Sequence, residues 1–124
     1  MHLVAGITLG VIFQLAHIAE EVTFPMPDRD GRIAEQWAIH QMQTTTDFAH
    51  GNRILSWFIG GLNYQVEHHL FPQVCSVHYP AISKIVAELA AETGVPYHNV
   101  PTLRAAIGSH YRMLKRLSRA PSAS

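Results

Sequence analysis

The first nineteen residues contain no Asp, Glu, Lys or Arg, and the mostly aliphatic run from Leu3 to Ala19 would extend about 26 Å as a helix. The hydrocarbon core of a bilayer is about 30 Å thick, so the run admits a membrane helix as well as the buried helix of a soluble domain. Gln14 and His17 interrupt it, and polar groups at membrane depth ordinarily serve a function. No basic flank precedes the run, no small-residue cleavage pattern follows it, and it ends on Glu20 and Glu21. It does not read as a secretory signal.

Charge elsewhere is balanced, with nine Lys and Arg against nine Asp and Glu, so no overall field favours nucleic acid. The balance conceals a basic end: Arg104, Arg112, Lys115, Arg116 and Arg119 occur without an intervening acid. Beside a membrane segment such an end fits the positive-inside rule, anionic headgroups or an acidic electron donor, and points to the cytosol. The single Cys75 excludes an intrachain disulfide and a Cys-rich zinc module. Nine histidines equal the Lys and Arg together, which directs attention to metal ligation.

Along the chain, Pro25, Pro27 and Asp28-Arg29-Asp30-Gly31 break the first helix, and helical patterning resumes from Ile33 to about Phe48. Thr44-Thr45-Thr46 weakens the end of that segment. An apolar stretch, Ile54 to Leu62, contains Gly60-Gly61, which allows a bend or a close backbone approach just ahead of the histidine pair. Two further helices are expected at 78–93 and 102–118, separated by Gly94-Val95-Pro96, and 120–124 reads as a disordered tail. The expected architecture is all-α: an apolar, membrane-type helix over 2–22, a metal-box region over 54–72, then short amphipathic cytosolic helices, with 1–119 as one unit.

Gln65-Val66-Glu67-His68-His69 is the sharpest local feature. On a helix, residues three and four apart share a face, so Gln65 meets both His68 and His69 within one turn; on a strand the two histidines would diverge. Imidazole suits iron, zinc and copper alike, and the spacing is equally compatible with a polar helix face. Glu67 projects away from the Gln65 and His69 face and is expected to be solvated or to pair with another helix.

The wider string Gly60-Gly61-Leu62-Asn63-Tyr64-Gln65-Val66-Glu67-His68-His69-Leu70-Phe71-Pro72 resembles the third histidine box of membrane fatty acid desaturases, in the front-end and linoleoyl-CoA desaturase-like variant whose first histidine is Gln. Gln14-Leu15-Ala16-His17, His40-Gln41 through Thr44-Thr45, Val77 to Ile82 and Pro96 to Ala105 resemble flanking family segments, so the likeness covers nearly the whole chain.

The resemblance implies a non-haem di-iron centre at the cytosolic membrane face, using dioxygen and two electrons to introduce a double bond into an acyl chain. Its expected ligands here are His17, Gln65, His68 and His69, with His40 as a further candidate and Gln14 and Gln41 supporting them. Expected partners are an acyl-CoA or acyl-lipid substrate, membrane lipid, and an electron donor such as cytochrome b5 or ferredoxin. His2, His50, His78, His98 and His110 match no ligand spacing and are expected at the surface or in hydrogen-bonded loops.

The family's first two histidine boxes and the His-Pro-Gly-Gly haem signature are absent from these 124 residues. The chain is therefore expected to be inactive alone, as a truncated product, a gene-model fragment or one piece of a split enzyme, with Met1 set late against the apolar run. Two other readings stand beside this one: a related di-iron lipid hydroxylase, and a non-catalytic membrane-associated metal-binding protein.

Overall fold

The computed structural model describes residues 1–30 and 36–119. The chain is mainly helical: α1 (His2–His17), α2 (Trp37–Thr44), α3 (Arg53–Phe58), α4 (Gln65–Leu70), α5 (Tyr79–Thr93) and α6 (Leu103–Leu117). A 3-10 turn, Ser76–His78, leads into α5. The all-α expectation needs one correction. Two short strands, β1 (Asp47–Phe48) and β2 (Asn99–Val100), pair in parallel with Asp47 opposite Asn99 and Phe48 opposite Val100.

The apolar helix is shorter than the expected 2–22. It stops at His17, and among the described residues no helix is long and apolar enough to cross a membrane. The stop has a physical cause ninety residues away, on α6. His110 Nδ1–H donates to the Ile18 carbonyl at 2.7 Å, the Glu20 amide donates to Ser109 Oγ at 2.9 Å, and Ser109 Oγ donates to Glu21 at 2.6 Å. Arg112 adds an ion pair to Glu20 at 2.6 Å. These bonds satisfy groups that a helix end leaves without partners, and they turn the chain under α6, where Ala19 and Val22 are buried.

The second segment, expected from Ile33 to about Phe48, is helical only over Trp37–Thr44, while 33–35 lie outside the described residues, as does the expected tail at 120–124. Thr45 is extended, at φ −133° and ψ 142°. β-branched residues fit that conformation, and it carries the chain into β1. The last two helices match their expected ranges within a residue at each end. α5 closes on Gly94 at φ +71°, the left-handed conformation that glycine tolerates best. α6 opens on Thr102, whose hydroxyl accepts from the Ala105 amide at 3.1 Å.

Two cores position the site. Ile12, Leu15 and Ala16 of α1 pack with Phe48, Ala49, Ile59, Val100 and Ala106, joining α1 and α6 to the strand pair. Met42, Val66, Val86 and Ala90 join α2, α4 and α5. Between them, Gly61 at φ +81° brings the backbone against the 3-10 turn: a Cβ there would sit 2.7 Å from Ser76 Cβ. Only glycine meets both demands, and the bend delivers the chain into α4.

Candidate metal centre

The Gln65–Leu70 segment is helical, the form in which Gln65 shares a face with His68 and His69, and its first three residues are fully buried while His68 and His69 are half-buried. α4 brings His69 to the end of α1. His69 Nε2 and His17 Nε2 lie 3.3 Å apart across 52 residues of sequence, with the rings edge-on and their centroids separated by 5.1 Å. His68 stands beside them, 5.9 Å from the His69 ring.

The outer nitrogens of two of these rings are held. His17 Nδ1 faces the Thr44 carbonyl at 3.4 Å, so the proton belongs on Nδ1 and the Nε2 lone pair points at His69. His68 Nδ1 faces the Tyr79 hydroxyl at 3.4 Å. Burial, then the neighbouring His17 and His68, push the His69 imidazole below its usual range, which keeps it neutral and able to donate a lone pair. Two ring nitrogens at this separation suit either one hydrogen bond or two ligands on a common cation.

Unpartnered polar atoms occur on the same helix and on α2. Gln65 is fully buried, yet neither its amide oxygen nor its amide nitrogen has a hydrogen-bond partner. His40 Nδ1 and Gln43 Oε1 on α2, which packs against α4, are orphaned in the same way. Buried polar atoms in native folds nearly always have partners, so orphans of this kind are a mark of ion or water binding. Gln14 lies on an exposed face of α1 and Gln41 is half-buried; the structure brings neither side chain into a hydrogen bond with the histidines.

Glu67 is buried rather than solvated, and it pairs with Tyr97, ahead of β2, rather than with another helix. It has no exposed surface and its Oε1 lies 3.0 Å from the Tyr97 hydroxyl. That hydroxyl donates to Asp47 Oδ2 at 2.7 Å. The same hydroxyl is also within donating distance of Glu67 Oε1, so its one proton serves both carboxyl groups. Burial, then the adjacent Asp47 carboxylate, push Glu67 up to about 9, so its carboxyl is protonated at neutral pH. The Tyr97 hydroxyl is raised far above its usual range by burial, then by Asp47 and Glu67.

Asp47 and its neighbours escaped the sequence reading. The Asp47 side chain accepts from the Val66 amide at 2.8 Å, from Tyr97, and from His50 Nε2 at 3.0 Å. His50 stacks on Tyr64 with centroids 4.1 Å apart. One ligand atom from each of Asp47, His50 and Glu67 lies within 4.8 Å of the others, close enough for a cation. The orphaned Glu67 Oε2 is the single unpartnered atom of the three side chains, so hydrogen bonding already accounts for most of this cluster. The available sequence signal was that Asp47 is the only acid between Glu35 and Glu67. Of the histidines expected to lie apart from the ligands, His78 is exposed and His110 caps α1.

Residues 1–101 match the family model described as fatty acid desaturase. The chain is 47% identical over 116 residues to the sn-1 linoleoyl-lipid 6-desaturase of Synechocystis sp., covering 93% of this chain and 32% of that protein. It is 44% identical over 118 residues to the enzyme of the same name from Arthrospira platensis, covering 95% and 32%. An acyl-lipid (8-3)-desaturase of Physcomitrium patens is 44% identical over 115 residues, covering 93% and 24%. The chain thus spans about a third or less of the length of these relatives. No solved structure matches it.

Proposed function

Because the chain belongs to the fatty acid desaturase family, we propose that His17, Gln65, His68 and His69 form one wall of a di-iron centre that desaturates a fatty acyl chain, with His40 as a further candidate ligand. The contact that carries this reading is His17 Nε2 to His69 Nε2 at 3.3 Å, which joins two elements far apart in sequence. When bound, the iron pair with dioxygen supplies the oxidising power to remove two hydrogens from methylenes that have no acidic proton for a side chain to take.

The chain's own contribution is to hold and shield the ligands. Thr44 fixes the His17 ring through Nδ1, Tyr79 steadies His68, and burial keeps His69 neutral. The buried Gln65 amide offers an oxygen in the position where the family's box more often has histidine. Val66 and Glu67, fully buried behind them, keep water from the rear of α4.

The exposed side chains of Leu3, Val4, Ile7, Val11 and Phe13 on α1 and of Ile54, Trp57 and Phe58 on α3 support placement against lipid, and the basic end of α6 supports a cytosolic face. The relatives' names support an acyl-lipid substrate, and the electron donor proposed with it is cytochrome b5 or ferredoxin. Four or five ligands are about half of what a histidine-held di-iron site needs, so residues 1–124 by themselves are predicted to form no product.

Lipid analysis of cells expressing the native polypeptide that carries these residues tests the reading. The wild type should yield an acyl product two hydrogens lighter than its substrate, and His17→Ala and His69→Ala should each abolish it. A product that has gained oxygen would move the assignment to a hydroxylase, and unchanged desaturation in His69→Ala would overturn the site.

A further inference from the structure

We propose that Asp47 is the positioning residue of the histidine helix, capping α4 from the neighbouring strand so that His69 meets His17. The inference rests on the metal-site reading above.

α4 is six residues long, and Tyr64 in its N-cap position supplies no side-chain cap. A helix that short has little stability of its own, and its first amides lack partners within it. Asp47 Oδ1 accepts one of them, the Val66 N–H, at 2.8 Å. A carboxylate nineteen residues upstream thus performs the task that Ser or Asp performs locally at an ordinary helix start.

The cap is itself immobile. The Asp47 amide donates to the His98 carbonyl at 2.9 Å, the Phe48 amide donates to Asn63 at 3.0 Å, and Tyr97 and His50 hold Oδ2. The adjoining backbone holds the other ligand: the Thr46 amide donates to the Ala16 carbonyl at 2.9 Å, and the Thr44 carbonyl faces the His17 ring. The stretch Thr44 to Asp47 therefore grips both the end of α1 and the start of α4. An α-helix turns by about 100° per residue, so a slip of one position in α4 would swing His69 away from His17.

The test uses the native polypeptide in detergent. Iron affinity is measured by chelator competition, and the unfolding midpoint of the metal-free form is measured alongside. Asp47→Asn retains an oxygen that can accept from Val66 but loses the acceptor that Tyr97 and His50 share, so it is expected to weaken iron binding by a few-fold, less than the full loss of the cap. Asp47→Leu fills the space without an acceptor and is expected to weaken iron binding by about 10–100-fold. Met113→Ala, a core truncation on α6, serves as the stability control: it should lower the unfolding midpoint and leave iron affinity intact. If Asp47→Leu does not fold, Tyr97→Phe, which removes one of the bonds that fix Asp47, should still weaken iron binding relative to Met113→Ala.

Wild-type affinity in Asp47→Leu, or in Tyr97→Phe where that variant carries the test, would overturn the proposal. So would an Asp47→Asn loss as large as that of Asp47→Leu, which would mark the carboxylate as a cation ligand rather than a cap. A wild type that binds no iron would instead remove the metal-site reading on which the proposal stands, and that failure is visible before any variant is made.

Discussion

Replacing Glu67 by Gln should stabilise the protein at neutral pH and flatten its pH dependence. The carboxyl is raised from 4.5 to about 9 by burial and by Asp47. The folded state then holds a proton that the unfolded state releases above its ordinary value. With the folded pKa above the unfolded one, the stabilisation is complete below about pH 4.5 and is lost as pH rises through about 9. One pKa unit corresponds to about 1.4 kcal/mol, so at pH 7 retaining the proton costs about 3 kcal/mol relative to pH 4. Gln is neutral, nearly the same shape and cannot ionise. Denaturant unfolding of the metal-free native polypeptide in detergent, from pH 4 to pH 8, should show the two proteins nearly equal at the acid end. Glu67→Gln should become more stable by up to about 3 kcal/mol at pH 7. Parallel curves would mean that Glu67 is ionised in the fold. Stabilisation of the wild type but not the variant by an added divalent ion would refute the reasoning differently, by giving Asp47, His50 and Glu67 a cation.

Gly61→Ala must place a Cβ 2.7 Å from Ser76 Cβ at φ +81°, so it should destabilise by about 2–4 kcal/mol and, by shifting the approach to α4, lower bound iron as well. Thr102→Ala removes the α6 cap and should cost about 1 kcal/mol in unfolding experiments without changing iron content. Arg112→Ala breaks an ion pair whose cation is 58% exposed, and thermal unfolding should change by less than about 1 kcal/mol, with that small effect reduced at high salt.

What could be read from the chain was set by how local its causes are. Gly94 and Thr102 end and begin their helices through contacts within a few residues, so the α5 and α6 ranges were legible. Gln65, His68 and His69 can share one face only on a helix, and that is the form α4 takes. The end of α1 was misjudged because hydropathy continues to Ala19, whereas the bond that stops the helix comes from His110, 92 residues downstream. The helical patterning from Ile33 extended too far because β1 exists only through its pairing with β2. Asp47 was overlooked for the same reason: Val66 and Tyr97 lie 19 and 50 residues away, and nothing beside it in sequence announces a cap. Glu67 was misplaced because a helical wheel shows which face a carboxylate occupies but not what packs on that face.

The measurement that bears most directly on the central claim is iron per polypeptide, by elemental analysis, in the native protein and in three single-histidine variants. His17→Ala and His69→Ala should each lose most of the bound iron. His2→Ala, which removes an exposed imidazole at the far end of α1 from His17, should retain it. Full iron occupancy in His17→Ala would show that the end of α1 and the histidine helix do not share a metal.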